Sequence, residues 1–498
     1  MAFISGSGLL ISTNEFYDRI TGTSVSDTVS YATATSAVNV SLSLRGAQST
    51  GGSFFDDLIS IENILGSSFG DTLDGDSGNN IIDGAAGSDT VSYRNASSAV
   101  VISLSLTTAQ ATGGAGLDTL LNLENVIGSS FSDRLQGNAI ANVIIAGDGN
   151  DLLIGTSGSD ILDGGVGFDT ADYNALGSVV SLGAFGVLRK GALGTDSLIG
   201  IETIIGSSLL GDTVDHSGAS VAPATGTVTN LTTGVVTVNG TAAPLPLTFN
   251  VSQFENVIGS GFADTITGNA ANNSLVGGAG NDTISGGAGD DTINGETGTD
   301  TASYLDATAA VTVSLSSGKS SGGAGSDTLL AIENVSGSSF ADTIIGGVDA
   351  NVLSGEDGND IISAGSGNDT VIGGAGKDVL SGEAGTDRFV YSALTDSLLA
   401  NFDLITDYVT GEVIDRPGTG VTLNSSSGTA ASLTATALAS ILNSFSFTAN
   451  SSAAFTVVGF SGTFIAFNDA GAGFNASTDS VIQLPGYNIN IFNTIAIA

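Results

Sequence analysis

The sequence has no cysteine and no tryptophan, a single histidine, and few basic residues. Without cysteine, disulfides and thiolate metal sites are excluded. Only 10 lysines and arginines stand against 50 aspartates and glutamates, which gives a formal net charge of -40. This balance argues against nucleic acid and against anionic membrane surfaces as partners. The expected counterions are therefore small cations.

Long hydrophobic runs are also missing. No window of the sequence approaches a transmembrane span. Residues 1–16 lack the basic leader and the apolar core of a cleaved signal peptide, so none is expected. With 72 glycines in 498 residues, the composition suits thin repeated strands better than a bulky core.

A nonapeptide rich in glycine and aspartate forms tandem runs at 66–92, 128–172, 259–303 and 337–390. A clean copy reads GGAGNDTIS at 277–285. Glycines at its first, second and fourth positions permit positive φ angles and close approach of carbonyl oxygens. The apolar eighth position suits an inward-facing strand residue. Each nonapeptide therefore predicts a loop and a short strand, and two of them predict one coil of a solenoid.

Loops that lie 18 residues apart should then stack on the same edge of the coil and bring their sixth-position side chains together. Eight pairs are Asp71/Asp89, Asp133/Asp151, Asp151/Asp169, Asp264/Asp282, Asp282/Asp300, Asp342/Asp360, Asp360/Asp378 and Asp369/Asp387. Three mixed pairs are Asn142/Asp160, Asn273/Asp291 and Asn351/Asp369. We predict that 8 to 11 divalent ions bind at these pairs, and eleven ions would cancel 22 of the 40 net negative charges. Without cations the carboxylates repel one another, so metal binding and folding should form one equilibrium.

These repeats resemble those of the RTX family of secreted calcium-binding proteins. The resemblance implies an all-β fold, a parallel β-roll or β-helix solenoid in which Asp side chains and backbone carbonyls hold calcium between adjacent loops. It also implies that the protein is extracellular, because calcium is millimolar outside cells. Export would use a type I secretion channel and an uncleaved signal in the last hundred residues.

Longer repeats divide the chain. The segment DTVSY at 27–31 returns at 89–93, 169–173, 300–304 and, degenerate, 387–391, while a marker strand IENI at 61–64 returns from residues 123, 201, 254 and 332. Alternating strands between these markers should continue the solenoid. The predicted parts are an N-terminal strand or cap (1–25), a solenoid (26–215), a β insert (216–250), a second stretch of solenoid (251–390) and a C-terminal β-rich domain with the secretion signal (391–498). The last part, with FIAFND at 464–469, resembles a domain of cyanobacterial surface RTX proteins, and a helix is predicted over 430–445.

Several side chains invite a functional interpretation. His216 is expected to lie in an exposed loop rather than to perform acid–base chemistry. The repeated tyrosines could form a glycan-stacking ladder, but their fixed place four residues after an aspartate favours core packing. Phenylalanines that replace the fourth-position glycine at the start of each run are expected to seal the solenoid. The tyrosines are Tyr31, Tyr93, Tyr173, Tyr304 and Tyr391, and the phenylalanines are Phe69, Phe131, Phe262 and Phe340.

No zinc-protease helix motif, cysteine nucleophile or Walker loop is present, and we predict that the protein is not an enzyme. The leading hypothesis is a calcium-dependent structural protein that forms a homo-oligomer or polymer as a surface layer, sheath or filament. Apolar strands at 9–11 and 489–492 are candidate joints for strand addition. One alternative is a monomeric adhesin that reads a cell-surface polysaccharide through 216–250 or the C-terminal domain. A polysaccharide-modifying enzyme on a β-helix is the third.

Overall fold

The computed structural model of the protein describes residues 2–11, 17–23, 26–218, 226–239, 247–416, 423–442, 447, 449–469, 471, 473–487 and 496–497. Two compact units make up the chain. The first contains residues 1–219, 234–238 and 246–254, and the second contains residues 220–233, 239–245 and 255–498. The C-terminal joint predicted at 489–492 lies outside the described residues.

Most strands are only three residues long, because each nonapeptide leaves three residues between its glycine loops. Up to residue 127 the strands are β1 (Ala2–Ser5), β2 (Leu9–Ile11), β3 (Asp18–Thr21), β4 (Thr28–Ser30), β5 (Asn39–Ser41), β6 (Gln48–Gly51), β7 (Phe54–Ile59), β8 (Asn63–Leu65), β9 (Thr72–Asp74), β10 (Ile81–Asp83), β11 (Thr90–Ser92), β12 (Val101–Ser103), β13 (Gln110–Gly113), β14 (Gly116–Leu121) and β15 (Asn125–Ile127). Up to residue 252 they are β16 (Arg134–Gln136), β17 (Val143–Asp148), β18 (Leu152–Ile154), β19 (Ile161–Val166), β20 (Thr170–Asp172), β21 (Ser181–Gly183), β22 (Val187–Arg189), β23 (Thr195–Ile199), β24 (Thr203–Ile205), β25 (Thr213–Asp215), β26 (Thr227–Asn230), β27 (Val235–Val238) and β28 (Leu247–Ser252).

The same short strands continue through the second unit. Up to residue 390 they are β29 (Asn256–Ile258), β30 (Thr265–Thr267), β31 (Ser274–Ala279), β32 (Thr283–Ser285), β33 (Thr292–Thr297), β34 (Thr301–Ser303), β35 (Val311–Ser314), β36 (Lys319–Gly322), β37 (Thr328–Leu330), β38 (Asn334–Ser336), β39 (Thr343–Ile345), β40 (Val352–Ser354), β41 (Asp357–Gly358), β42 (Ile361–Ser363), β43 (Thr370–Ile372), β44 (Ala375–Gly376), β45 (Val379–Ser381) and β46 (Arg388–Val390). The remaining strands are β47 (Asp403–Ile405), β48 (Val413–Asp415), β49 (Leu423–Ala430), β50 (Ser452–Val457), β51 (Thr463–Phe467), β52 (Ser480–Leu484) and β53 (Ala496–Ile497). Helix α1 covers Ala435–Leu442, and short 3-10 turns cover Gly191–Leu193, Leu394–Ser397 and Leu399–Asn401.

Strands within the repeat runs stack in parallel, each on the strand 18 residues further along. In the first unit, β17 pairs with β19 so that Ile144 lies opposite Leu162. In the second, β30 pairs with β32 and β32 with β34, which aligns Ile266, Ile284 and Ala302 in one column. This register confirms the predicted coil of two nonapeptides and the β-solenoid fold.

The eighth position of each nonapeptide points into the core, as predicted. Ile284, Ile293 and Ala302 are completely buried, and they belong to one apolar cluster that extends through the second unit. Burying an isoleucine or leucine side chain contributes about 1.5–3 kcal/mol relative to exposure. A narrow coil therefore obtains its apolar core from one inward residue per strand.

An interlude, meaning the segment between a DTVSY-type copy and the next marker strand, adds a hairpin to the coil. In the interlude after residue 93, β12 pairs in parallel with β16, while β13 pairs in antiparallel fashion with β14. Strand β14 then returns to the stack beside β10, with Ile81 opposite Thr119. The predicted continuation of the solenoid through the interludes is thus observed.

The predicted β insert at 216–250 has this interlude pattern in its described residues. Strand β26 pairs in parallel with β30, as β12 does with β16. Strand β27 pairs in antiparallel fashion with β28, and β28 lies parallel to β24. Strands β26 and β27 lie within the predicted insert, and they serve as another interlude.

Parallel stacking also extends past residue 390, the predicted start of the C-terminal domain. Strand β47 pairs with β45, and β48 pairs with β46. Helix α1 then packs its buried Leu438 and Leu442 against the antiparallel strands β50, β51 and β52 in a separate apolar cluster. Among the described residues, no helix is long and apolar enough to cross a membrane.

Candidate metal sites

Acidic side chains form ladders along the stacked loops. In each predicted pair, the backbone N–H of the first residue donates to Oδ1 of the aspartate 18 residues later, over 2.7 to 2.9 Å. We call any two residues joined by such a bond, from a backbone N–H to the carboxylate of the stacked loop, a rung. All eleven predicted pairs are rungs, because the parallel register places each loop directly on the next.

The first aspartate of each run is satisfied by the protein itself. Ser129 donates its backbone N–H to Asp133 Oδ2 over 2.6 Å and its hydroxyl to Asp133 Oδ1 over 2.7 Å. The same two bonds join Ser67 to Asp71, Ser260 to Asp264 and Ser338 to Asp342. These carboxylates thus begin each ladder with both oxygens hydrogen-bonded.

Aspartates further inside the runs have one oxygen without a donor. Their Oδ2 atoms are buried and accept no hydrogen bond, which leaves a buried negative charge uncompensated. The residues concerned are Asp89, Asp151, Asp169, Asp282, Asp291, Asp300, Asp360, Asp369, Asp378 and Asp387. A buried acceptor without a partner is costly, so a bound cation would stabilise these positions.

Glycines shape the space around these oxygens. A Cβ atom added at Gly277 would lie 2.2 Å from Asp282 Oδ2, and one added at Gly286 would lie 2.3 Å from Asp291 Oδ2. At Gly278, with φ of +107°, an added Cβ would lie 2.2 Å from the carbonyl oxygen of Ser260 in the stacked loop. Only glycine at these positions leaves room for the carboxylate oxygen of its own loop and the carbonyl oxygen of the stacked loop to lie close to the backbone.

Burial raises the pKa of the interior carboxyls. Desolvation raises the pKa of Asp282 to about 6, and the charges of Asp264 and Asp300 raise it further. For the same leading reason the pKa of Asp291 rises to about 7 and that of Asp360 to about 8. The ionised form is thus disfavoured in the folded chain until a cation compensates it.

The donor set fits a hard divalent cation such as calcium. Carboxylate and carbonyl oxygens are the ligands that calcium prefers. Within the described residues, no three histidine, cysteine, aspartate or glutamate side chains converge on a common point. An ion on a rung would therefore bind one or two carboxylates together with backbone carbonyls, and its charge would offset the repulsion between neighbouring carboxylates. Which rungs hold calcium stays a prediction.

The ladders also include glutamates, which the nonapeptide pattern did not predict as acceptors. The backbone N–H of Asp89 donates to Oε2 of Glu124 over 2.8 Å, and Asp169 donates in the same way to Glu202. Asp27 with Glu62 and Asp300 with Glu333 repeat this bond. The sequence signal was the glutamate in the marker strand, which occupies the same place in each copy.

Interlude aspartates also extend the ladders. Asp160 donates its backbone N–H to Asp196 Oδ1 over 2.9 Å, and Asp291 donates to Asp327 Oδ1 over 3.1 Å. Asn80 with Asp118 and Asp378 with Asp403 form the equivalent bonds. These partners are 25, 36 or 38 residues apart, so pairing residues that lie 18 apart did not find them.

The repeated tyrosines are core residues, as favoured by their spacing. Tyr31, Tyr93, Tyr173, Tyr304 and Tyr391 are at most 3% exposed. The hydroxyl of Tyr93 donates to Asp118 Oδ2 over 3.1 Å, and that of Tyr173 donates to Asp196 Oδ2 over 2.7 Å. Their rings are therefore unavailable for stacking on a glycan.

Two expectations about aromatic and histidine residues were wrong. His216 was expected in an exposed loop but is buried. Burial lowers its pKa to about 4, so its side chain is neutral at physiological pH. Phe69, Phe131 and Phe340 are 41–42% exposed and do not seal the core. The fourth nonapeptide position lies in the loop, where side chains face outward, whereas the core is filled from the eighth position.

Comparison with known proteins identifies the repeat. The model of the RTX calcium-binding nonapeptide repeat matches residues 61–93, 127–161, 136–171, 254–282, 267–302, 336–371 and 363–398. These segments contain all eleven predicted pairs. A search of curated proteins finds no match to the chain.

Proposed function

Because the chain carries RTX calcium-binding nonapeptide repeats, we propose that it is a secreted structural protein whose copies assemble, in calcium, into an extracellular surface layer, sheath or filament. RTX repeats imply a secreted calcium-binding protein. The assembly of copies, the type I export route and the C-terminal signal are part of the proposal.

The observation that carries this proposal is a pair of strands with a free side. Strand β1 ends the sheet that continues through β3 and β7, and β2 ends the sheet that continues through β4 and β8. Within the described residues, neither β1 nor β2 has a second neighbour. Leu9 on β2 is 58% exposed. Open backbone edges of this kind accept a further strand, here from a second copy of the chain.

Charge explains why such assembly would depend on calcium. Copies that each carry a net charge of -40 repel one another before cations bind. Calcium on the rungs would reduce this repulsion and also complete the coils that present β1 and β2. The ladders use most of the well-phased aspartates structurally, which supports a scaffold over a catalytic role.

Negative-stain electron microscopy tests the proposal directly. Purified protein would be imaged in excess chelator and again after calcium is raised to the millimolar range. Regular filaments or sheets that form only with calcium would support assembly, and adding chelator should dissolve them. Discrete particles at every protein concentration would contradict it and favour the monomeric adhesin that reads a cell-surface polysaccharide.

A matched pair of variants locates the joint. Leu9→Lys places a charge on the open edge of β2, and we expect it to abolish or shorten the polymers while calcium-induced folding persists. Leu210→Lys is the control, since Leu210 is 82% exposed and lies outside the strands. Equal polymer lengths in the two variants would rule out β2 as the joint.

A further inference from the structure

One lysine is completely buried within a ladder. The ammonium group of Lys190, which is 0% exposed, lies 3.1 Å from Asp160 Oδ2 and contacts Asp196 Oδ1 as well. It also donates to the backbone carbonyl of Thr156 over 2.5 Å. Two carboxylates and one loop carbonyl are thus gathered around a single positive charge.

This rung has no carboxylate oxygen left without a partner. Asp160 Oδ1 accepts the N–H of Asn142 over 2.9 Å, and Asp196 Oδ1 accepts the N–H of Asp160 over 2.9 Å. The hydroxyl of Tyr173 donates to Asp196 Oδ2 over 2.7 Å. Lys190 donates to Asp160 Oδ2, to which the hydroxyl of Thr156 also donates over 3.3 Å.

The equivalent rung in the second unit lacks a lysine. There, Asn273 donates to Asp291 Oδ1 over 2.8 Å, and the hydroxyl of Ser320 donates to Asp327 Oδ2 over 2.7 Å. The oxygen without a partner is Asp291 Oδ2, the counterpart of the atom that Lys190 contacts. The two rungs therefore differ at this oxygen, because Asp160 Oδ2 contacts the Lys190 ammonium and the Thr156 hydroxyl, whereas Asp291 Oδ2 has no partner.

A third rung, formed by Asn80 and Asp118, has no carboxylate oxygen at the position of Asp160 Oδ2. Asn80 replaces the first aspartate beside Asp118, so only one carboxylate is present. Thr112, two residues after the residue opposite Asp118 in the hairpin, donates to Asp118 Oδ2 over 3.3 Å. Lys190 likewise stands two residues after Leu188, the residue opposite Asp196. The hairpin position thus provides the partner for the interlude aspartate, and only with Lys190 does it bring a full positive charge.

We propose that the ammonium group of Lys190 takes the place of a metal ion at the Asp160–Asp196 rung, so that this rung binds no calcium while its counterpart at Asp291–Asp327 does. Asp160, predicted as a calcium ligand with Asn142, then serves as the partner of an internal cation. This inference rests on the calcium-binding repeats and is independent of whether copies assemble.

Counting bound calcium tests the inference. Full-length protein, K190M and K319M would be equilibrated with saturating calcium, and calcium per chain would be measured by equilibrium dialysis with elemental analysis. We expect K190M to bind one more calcium than the unmodified chain, because two carboxylates and a carbonyl lose their cation. Lys319 lies in the corresponding hairpin but is exposed, so K319M should leave the number unchanged. A folded K190M with an unchanged number would overturn the inference.

A second pair of variants covers the case in which K190M fails to fold. D160N retains Oδ1 as an acceptor for Asn142 and should bind as many calcium ions as the unmodified chain. D291N, its counterpart, should bind one fewer. Loss of a calcium ion from D160N would show that Asp160 is a metal ligand and would overturn the inference.

Discussion

The runs at 128–172 and 259–303 share one layout, displaced by 131 residues, but they are neutralised differently. Asp133, Asp151 and Asp169 in the first run correspond to Asp264, Asp282 and Asp300 in the second. Their hydrogen-bonded rungs match, yet only the first run receives a buried lysine from the interlude that follows it. We infer from the comparison that a residue outside the repeats can supply the positive charge that a repeat otherwise takes from a metal ion.

Calcium removal should have the largest effect. In excess chelator we expect both runs to lose their β structure, because buried carboxylates without cations repel one another. Hydrogen exchange, followed while calcium is lowered, should show residues 152–172 protected longer than 283–303. A hydrogen bond to a charged group contributes about 1.5–3 kcal/mol, so the difference in exchange should be about tenfold or more.

The control for this difference is K190M, in which the two runs should lose protection together. If the unmodified protein already loses both at the same calcium concentration, the contrast between the runs has no energetic consequence. Circular dichroism of the same samples would report the overall loss of strand structure.

Core truncation should affect the two runs equally. Leu153 and Ile284 occupy matching eighth positions and are both 0% exposed. Leu153→Ala and Ile284→Ala should each lower the free energy of unfolding by about 2–5 kcal/mol, measured by chemical denaturation in calcium. Ile161→Ala serves as control, since Ile161 is 41% exposed. A cost confined to one run would show that their cores are not equivalent.

Acidification should stabilise the metal-free protein, more so in the second run. The pKa of Asp282 is raised to about 6 and that of Asp291 to about 7, so the folded chain holds protons there that the unfolded chain releases. Stability is therefore greatest at low pH and is lost as pH rises through about 6 to 7. Lys190 opposes the rise in the pKa of Asp160, which should flatten the response of the first run.

Circular dichroism of the metal-free protein brought from pH 8 to pH 5, with hydrogen exchange in each run, would measure this effect as strand structure regained on acidification. Calcium should abolish most of the pH dependence above pH 5. Greater stability of the metal-free protein at pH 8 than at pH 5 would contradict the raised pKa values.

The smallest predicted effect distinguishes the starts of the two runs. Removing the hydroxyl in Ser129→Ala takes a donor from Asp133 and should cost about 1 kcal/mol. Ser260→Ala should cost less, because the hydroxyl of Thr227 also donates to Asp264 Oδ1 over 3.0 Å. Thermal unfolding in calcium would compare them, with the exposed neighbour Ser130→Ala as control. Equal costs would mean that Thr227 does not compensate.

Much of the fold follows from the nonapeptide alone. A period of nine residues with an apolar eighth position predicts both the 18-residue coil and the inward column of Ile266, Ile284 and Ala302. All eleven predicted pairs became rungs for the same reason. The C-terminal helix was predicted at 430–445 and spans Ala435–Leu442.

The interludes were harder to predict because they break the period. Their aspartates reach the ladder through hairpins, which place Asp196 and Asp327 36 residues and Asp118 38 residues after their partners instead of 18. His216 was misplaced because DTVDH at 212–216 was not aligned with the DTVSY copies, in which the last residue is a buried tyrosine. The exposed phenylalanines were misplaced because hydrophobicity was given more weight than their position in the loop.

The sequence by itself determined which residues share an edge of the coil, since the nonapeptide sets that geometry locally and repeats it. Only the tertiary structure decided which of those carboxylates obtain a partner from the protein. Lys190 follows Asp160 by 30 residues and reaches it through the hairpin of β22 and β23. Such a contact depends on three-dimensional packing, because a buried charge is stabilised by whichever opposite charge the fold brings near it.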